Sequence, residues 1–147
     1  MRKVLLISLL SILPLILSAG EFITKTSSLS VDKTIEKMKS LIEAKKGMKV
    51  FAIIDHKAGA KKADYEMNDE KVIIFGNPAM GTRMMLRDEK VGIDLPLRVL
   101  VYQDEKEKTK IVYRDPKEWA KSFNLKGCVL LEKMEKVLDD ITSKSSK

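Results

Sequence analysis

The chain has 147 residues, 28 basic and 21 acidic, with a formal net charge of +7, a length that suits one domain with its own core. Aromatic residues are 5% of the chain, too few for a base-stacking platform, and lysines interleave with glutamates in DEKEKTK and LEKMEKVLDD, so the surplus charge reads as solvated surface and nucleic acid is not an expected partner. The single cysteine, Cys128, excludes an intramolecular disulfide, a C-x-x-C redox motif and a cysteine-only metal site.

The N-terminal MRKVLLISLLSILPLILSAG places Arg2 and Lys3 before an apolar run from Val4 to Leu17 and then small residues. That is the layout of a secretory signal peptide over residues 1–20, with cleavage expected after Gly20. The run is shorter than the ~20 residues of a spanning helix, and Pro14 interrupts it. Glu21 stands where a lipoprotein would carry cysteine. The expected product is a single periplasmic or secreted domain, residues 21–147, with no stable membrane insertion after cleavage. An uncleaved anchor is the alternative.

Chain order then suggests the elements. EFITKTSS reads as a short strand. Ser30 can cap a helix whose apolar stripe is Val31, Ile35, Met38 and Ile42, ended by Gly47. MKVFAIID, apolar on both faces, predicts a central, covered strand. KAGAKKADYEM is a short helix or structured loop. KVIIF is a strand, and Asn77-Pro78 can start a short helix to about Leu86. LRVLVY and KIVYRD form a hairpin across a charged turn. Asp115-Pro116 starts a helix, and a long helix follows Gly127 to about Thr142 on Leu130/Leu131, Met134, Val137/Leu138 and Ile141. Cys128, at the start of that helix, is expected to be buried. The tail 142–147 is expected to fray. The fold class is α+β, in the order β-α-β-β-β-β-α, a mostly antiparallel sheet with helices packed on one face.

The stretch KVIIFGNPAMGTRMM carries G-x-x-x-x-G at Gly76 and Gly81, the opening of a phosphate loop. The lysine such a loop needs is missing, since Thr82 and Arg83 follow, and Pro78 removes a backbone N–H. The free N–H groups of a helix start could still hold a small anion. Asp55 and His56 end a strand, where His56, the sole histidine, could serve a hydrolase or isomerase as general base. Met80, Met84 and Met85 with His56 could form a soft site for copper, or handle haem. Asp94, Tyr113 and Asp115 are polar residues beside strand ends.

Asp55-His56, Phe75-Gly76-Asn77-Pro78, Gly81-Thr82, Met85, Asp94-Leu95-Pro96, and Tyr113 with Asp115-Pro116 occur in that order. This pattern resembles the domain of unknown function 302 family over about Thr26 to Ile141. The resemblance implies a compact domain of the TATA-binding-protein-like class, forming a homodimer, a fold label without DNA-binding content. Family members often carry a glycine near Asp64 and a second histidine where Phe123-Asn124 stand here. The expected function is a non-enzymatic, exported small-ligand-binding domain with no cofactor. Its polar pocket would lie around the FGNP loop, formed by Asp55, His56, Gly76, Asn77, Thr82, Asp94 and Tyr113, for a small polar molecule or anion.

Overall fold

The computed structural model describes residues 21–147; the expected signal segment lies outside the described residues. Five strands, β1 (Phe22–Ser27), β2 (Lys49–Asp55), β3 (Glu70–Gly76), β4 (Leu97–Gln103) and β5 (Thr109–Arg114), alternate with helices α1 (Val31–Glu43), α2 (His56–Lys62), α3 (Pro78–Met85), α4 (Pro116–Ser122) and α5 (Val129–Ser145). A 3-10 turn, Glu89–Ile93, precedes β4. The strands form one sheet in the order β1-β5-β4-β3-β2, with every neighbouring pair antiparallel. The expected α+β class holds, elaborated by three short helical insertions between β2 and β4.

Alternation along the strands decides the two faces. Ile73, Phe75, Val99, Val101 and Ile111 are fully buried beneath α1 and α5, whose stripes (Val31, Ile35, Met38 and Ile42; Leu131, Met134, Leu138 and Ile141) complete one core. Their neighbours Val72, Ile74, Leu100 and Val112 point the other way and are half-buried. The helix starts follow the expected chemistry. Ser30 Oγ accepts from the Lys33 N–H, Asn77 Oδ1 from Met80 and Asp115 Oδ1 from Lys117, each satisfying a donor that the first helical turn leaves free. Cys128 is buried at the N-cap position of α5.

Two expectations need correction. MKVFAIID is not a central strand: β2 is the sheet border, with Phe51, Ile53 and Ile54 exposed at 51%, 41% and 44%. A bulge between Val50 and Ala52 shifts the register, so an unbroken apolar run serves a cavity wall and a border instead of two covered faces. The tail does not fray either. α5 continues through Ser145, and Thr142 and Ser145 have no exposed surface. Lys25 Nζ donates to Asp139 Oδ1 at 2.6 Å, Thr142 Oγ1 at 2.9 Å and Ser143 Oγ at 2.7 Å. The Ser28 N–H donates to the Ser146 carbonyl at 2.8 Å.

α2 ends in a Schellman pattern. The Tyr65 N–H reaches the Ala60 carbonyl and the Asp64 N–H the Lys61 carbonyl, with Asp64 at φ 61°. This is a position glycine fills without steric cost, which gives a physical reason for the glycine expected there from the family resemblance.

A second tie joins the chain leaving α1 to α5. Asp140 accepts from Lys144 Nζ at 2.6 Å and Lys45 Nζ at 2.7 Å, and these ammonium groups, Lys144 first, hold its carboxyl down from the usual 3.8 to about 2. A carboxyl depressed in the folded state adds stability that is present above its unfolded pKa and is lost as pH falls through the folded one. Denaturant titrations should therefore show the stability gap between the natural chain and Asp140→Asn shrinking between about pH 4 and pH 2. A gap constant across that window contradicts the pairing.

Candidate functional site

The FGNP loop joins β3 to α3. Gly76 ends the strand, Asn77 caps the helix, and Pro78 takes the first helical position, where no N–H is needed. The loop rests on the turn before β2, in which the Met48 N–H donates to the Lys45 carbonyl and Gly47 sits at φ 78°, the third-position geometry of a type II turn. A Cβ on Gly47 would lie 2.7 Å from Asn77 Nδ2.

Beneath the loop lies a hollow of about 250 Å3 between α3, α5 and the end of the sheet. Among the described residues, Asn77 and Thr82 are the only polar side chains that line it, and no charged residue does. Five of the eight methionines converge on it: Met48, Met80, Met84, Met85 and Met134. Phe51, Leu95, Pro96, Leu130 and Val137 complete most of the wall. Among the expected pocket residues, Gly76, Asn77 and Thr82 meet here, but the surroundings are apolar where the sequence reading anticipated a polar pocket. The anion reading also weakens locally, because the Asn77 carboxamide oxygen already takes the Met80 N–H at 3.2 Å.

The other expected residues lie elsewhere. In the β2–β3 ladder Lys49 faces Gly76, whereas Asp55 faces Lys71. Asp55 and His56 are thus at the far end of the sheet from the FGNP loop, five residues or roughly 17 Å along the strand. Asp55 caps α2, its Oδ1 accepting from the Ala58 N–H at 2.8 Å, while Oδ2 lies 3.1 Å from Lys71 Nζ. The Ala58 N–H first, then Lys71, hold this carboxyl below the usual range. Both oxygens are therefore engaged away from His56, which is exposed; no base-orienting Asp–His contact forms. The same separation keeps His56 from Met80, Met84 and Met85, so the copper grouping that includes His56 is not assembled. Among the described residues no cluster of three or more His, Cys, Asp or Glu side chains could hold a metal. A hollow of 250 Å3 is also below the volume usual for drug-sized ligands, and it leaves no room for a haem macrocycle.

Asp94 and Tyr113 share a different cleft, between β4 and β5, with Trp119. Burial pushes the Tyr113 hydroxyl up, partly offset by its polar contact with Thr142.

Met48, Phe51 and Met134 are not among the pocket residues expected from the sequence. They come from a turn, a border strand and α5, and no spacing rule links them. The one available signal was the methionine content, eight in 147 residues.

Fold and hollow together define a small α+β domain built on an open antiparallel sheet. The chain belongs to the family described as "Domain of unknown function DUF302", matched over residues 23–141. A crystal structure of an uncharacterized conserved DUF302 protein from Bacillus stearothermophilus superposes with a TM-score of 0.74 at 20% identity, covering 88% of this chain and 100% of that one; this likeness concerns the fold. The chain is also 38% identical over 103 residues to "Fluoride-specific ion channel FluC 1" of Brucella suis biovar 1 (strain 1330), covering 70% of this chain and 40% of that protein. The protein of the same name from Brucella abortus biovar 1 (strain 9-941) matches at 38% identity, with 38% of its length covered. The chain thus spans about two-fifths of the curated relatives it matches.

Proposed function

We propose that this is a non-enzymatic binding domain, acting outside the cytoplasm, whose ligand is a small, uncharged, mainly apolar molecule held in the methionine-lined hollow. The hollow carries this reading: about 250 Å3 of space walled by thioether, alkyl and phenyl groups, with no titratable side chain among the described residues that line it. A comparable apolar cavity of about 150 Å3 binds benzene, which puts the ligand near the size of a bicyclic ring. Methionine side chains are flexible and polarizable, so they can fit more than one shape. Asn77 and Thr82 supply the single polar corner. General acid–base chemistry has no group to start from here. A cuprous ion could use the thioethers, but it would sit as a bare charge with no anion beside it, at high desolvation cost. The leader-like segment before Glu21 supports export. In the channel relatives we assign the matched part an accessory role, because no helix among the described residues is long and apolar enough to cross a membrane.

The test uses methionine-methyl NMR with naphthalene or indole as probe. The methyls of Met48, Met80, Met84, Met85 and Met134 should shift saturably, while buried Met38 does not. Gly81 offers a paired control. Its position in α3 would bring a Cβ to 3.6 Å from Leu95 Cδ1, an ordinary contact. Gly81→Ala should stabilise the domain by about 0.5–1 kcal/mol through helix propensity. Gly81→Leu should fill the hollow and abolish the shifts. Unchanged methyls in the natural chain, or shifts that survive in Gly81→Leu, exclude this hollow as the site.

A further inference from the structure

The ladder between β4 and β5 stops early. Its last registered pair is Leu100 and Val112, yet β3 stays paired with β4 down to Leu97 and β1 with β5 up to Arg114. Continuing that register, the next opposed positions are Val99 and Tyr113, and the ones after them Arg98 and Arg114, which lie on the same face of the sheet as Leu100 and Val112. The strands have thus parted by the Val99–Tyr113 position, and two like charges beyond it do nothing to draw them back together. The resulting slot, about 250 Å3, runs from the outer face of the sheet to the inner layer and has Trp119 and Leu138 in its wall. It shares only Leu97 with the methionine-lined hollow.

Three polar groups of the slot have no side-chain partner among the described residues. Trp119 is 4% exposed, and its Nε1–H is enclosed with no hydrogen-bond partner among the described residues, although buried donors are nearly always paired. Arg98 and Asp94 line the same slot, and neither side chain takes part in the ion pairs or hydrogen bonds formed among the described residues. The other charge that lines it, Arg114, is already matched by Glu21. What remains is one cation, one anion, one donor-only indole and an apolar floor of Leu100, Val112 and Leu138.

We propose that this slot is a second site, and that it takes a free α-amino acid with an apolar side chain. The carboxylate pairs with Arg98 and, after a small side-chain shift that opens the enclosed indole, accepts from Trp119 Nε1–H. The ammonium faces Asp94, and the side chain lies among the leucines and Val112. A guanidinium suits a carboxylate because its N–H groups form a planar fork, and charge-assisted bonds of this kind are the strong ones. A simple anion would leave Asp94 as an uncompensated repulsive neighbour, and a simple cation would do the same with Arg98.

Trp119 is the only tryptophan, so its fluorescence and its indole N–H resonance both report on the slot. L-leucine should change the fluorescence saturably and move the N–H resonance downfield. Leucinamide, which lacks the carboxylate, and 4-methylpentanoate, which lacks the ammonium, should each bind about tenfold or more weakly. Arg98→Gln and Asp94→Asn, tested for unchanged thermal stability, should weaken L-leucine by a similar factor. Three results overturn the proposal: no saturable change with L-leucine up to about 10 mM, 4-methylpentanoate binding as tightly as L-leucine, or both variants binding like the natural chain. The first would mean that the slot does not take an amino acid. Because Gly81→Leu leaves this slot untouched, the two sites fail independently.

Discussion

Gly47→Ala is expected to destabilise the domain by about 2–3 kcal/mol, through two separable causes. The first is the backbone. At φ 78° a residue with a Cβ sits in the left-handed region, which costs about 1–2 kcal/mol. The second is contact: the new Cβ would lie 2.7 Å from Asn77 Nδ2, closer than real Cβ atoms come. The carboxamide must move, and with it the oxygen that caps α3. Losing a cap costs about 1 kcal/mol. A double-mutant cycle separates the causes, because in an Asn77→Gly background only the backbone cost remains. The cycle should return a coupling of about 1 kcal/mol. Strict additivity would mean that the loop and the turn do not support each other. Methionine-methyl spectra of Gly47→Ala should also change at Met80 and Met84, since α3 carries both.

Lys25→Ala should cost about 1.5–3 kcal/mol, the range for hydrogen bonds to a charged group. Lys25 is on the helix-facing side of β1, and its side chain is 22% exposed; its bonds to Thr142 and Ser143 are part-buried, whereas Asp139 is 67% exposed and its screened ion pair adds little. Truncation would withdraw the ammonium that fastens the last turns of α5 to the sheet. The loss should therefore be local as well as global. Amide exchange should accelerate from about Leu138 onward while Ile73 and Val99 keep their protection. Uniform acceleration across the sheet would argue against α5 being fastened at this point. Lys25→Met, which keeps the apolar stem but not the charge, should behave like the alanine variant if the polar bonds are what matter.

The elements were legible because their signals are local. Ser30, Asn77-Pro78 and Asp115-Pro116 mark helix starts through side-chain oxygens three residues or fewer from the donor they satisfy. The stripes of α1 and α5 repeat at helical spacing. The site was harder because it depends on which strand ends share a side of the sheet. Asp55 and Gly76 both finish strands, and from sequence alone they looked alike. Antiparallel pairing of β2 with β3 sends them to opposite ends. Asp94 and Tyr113 line one cleft, but it lies in the split between β4 and β5 instead of under the FGNP loop. That split begins where the β4–β5 ladder ends, after Leu100 and Val112, a limit visible only once the register is known. The tail was misread for a related reason. TSKSSK is polar in composition, but Thr142 and Ser145 use their hydroxyls to bond back to the Leu138 and Thr142 carbonyls, which lets small polar side chains be packed without penalty.

The shifted register near Phe51 has a further consequence, for association between molecules. A straight apolar border strand offers an uninterrupted row of N–H and C=O groups to any passing chain, and that is how open sheets grow into fibres. Here the row is broken where an incoming strand would need it most, because two residues of β2 occupy the space opposite one of β3. Lys49 and Asp55 place charges at the two ends of the same strand. The side chain that breaks the row, Phe51, also walls the methionine-lined hollow. One inserted residue thus shapes a ligand-sized space and discourages runaway polymerisation, so removing it to tidy the ladder would sacrifice solubility together with the hollow.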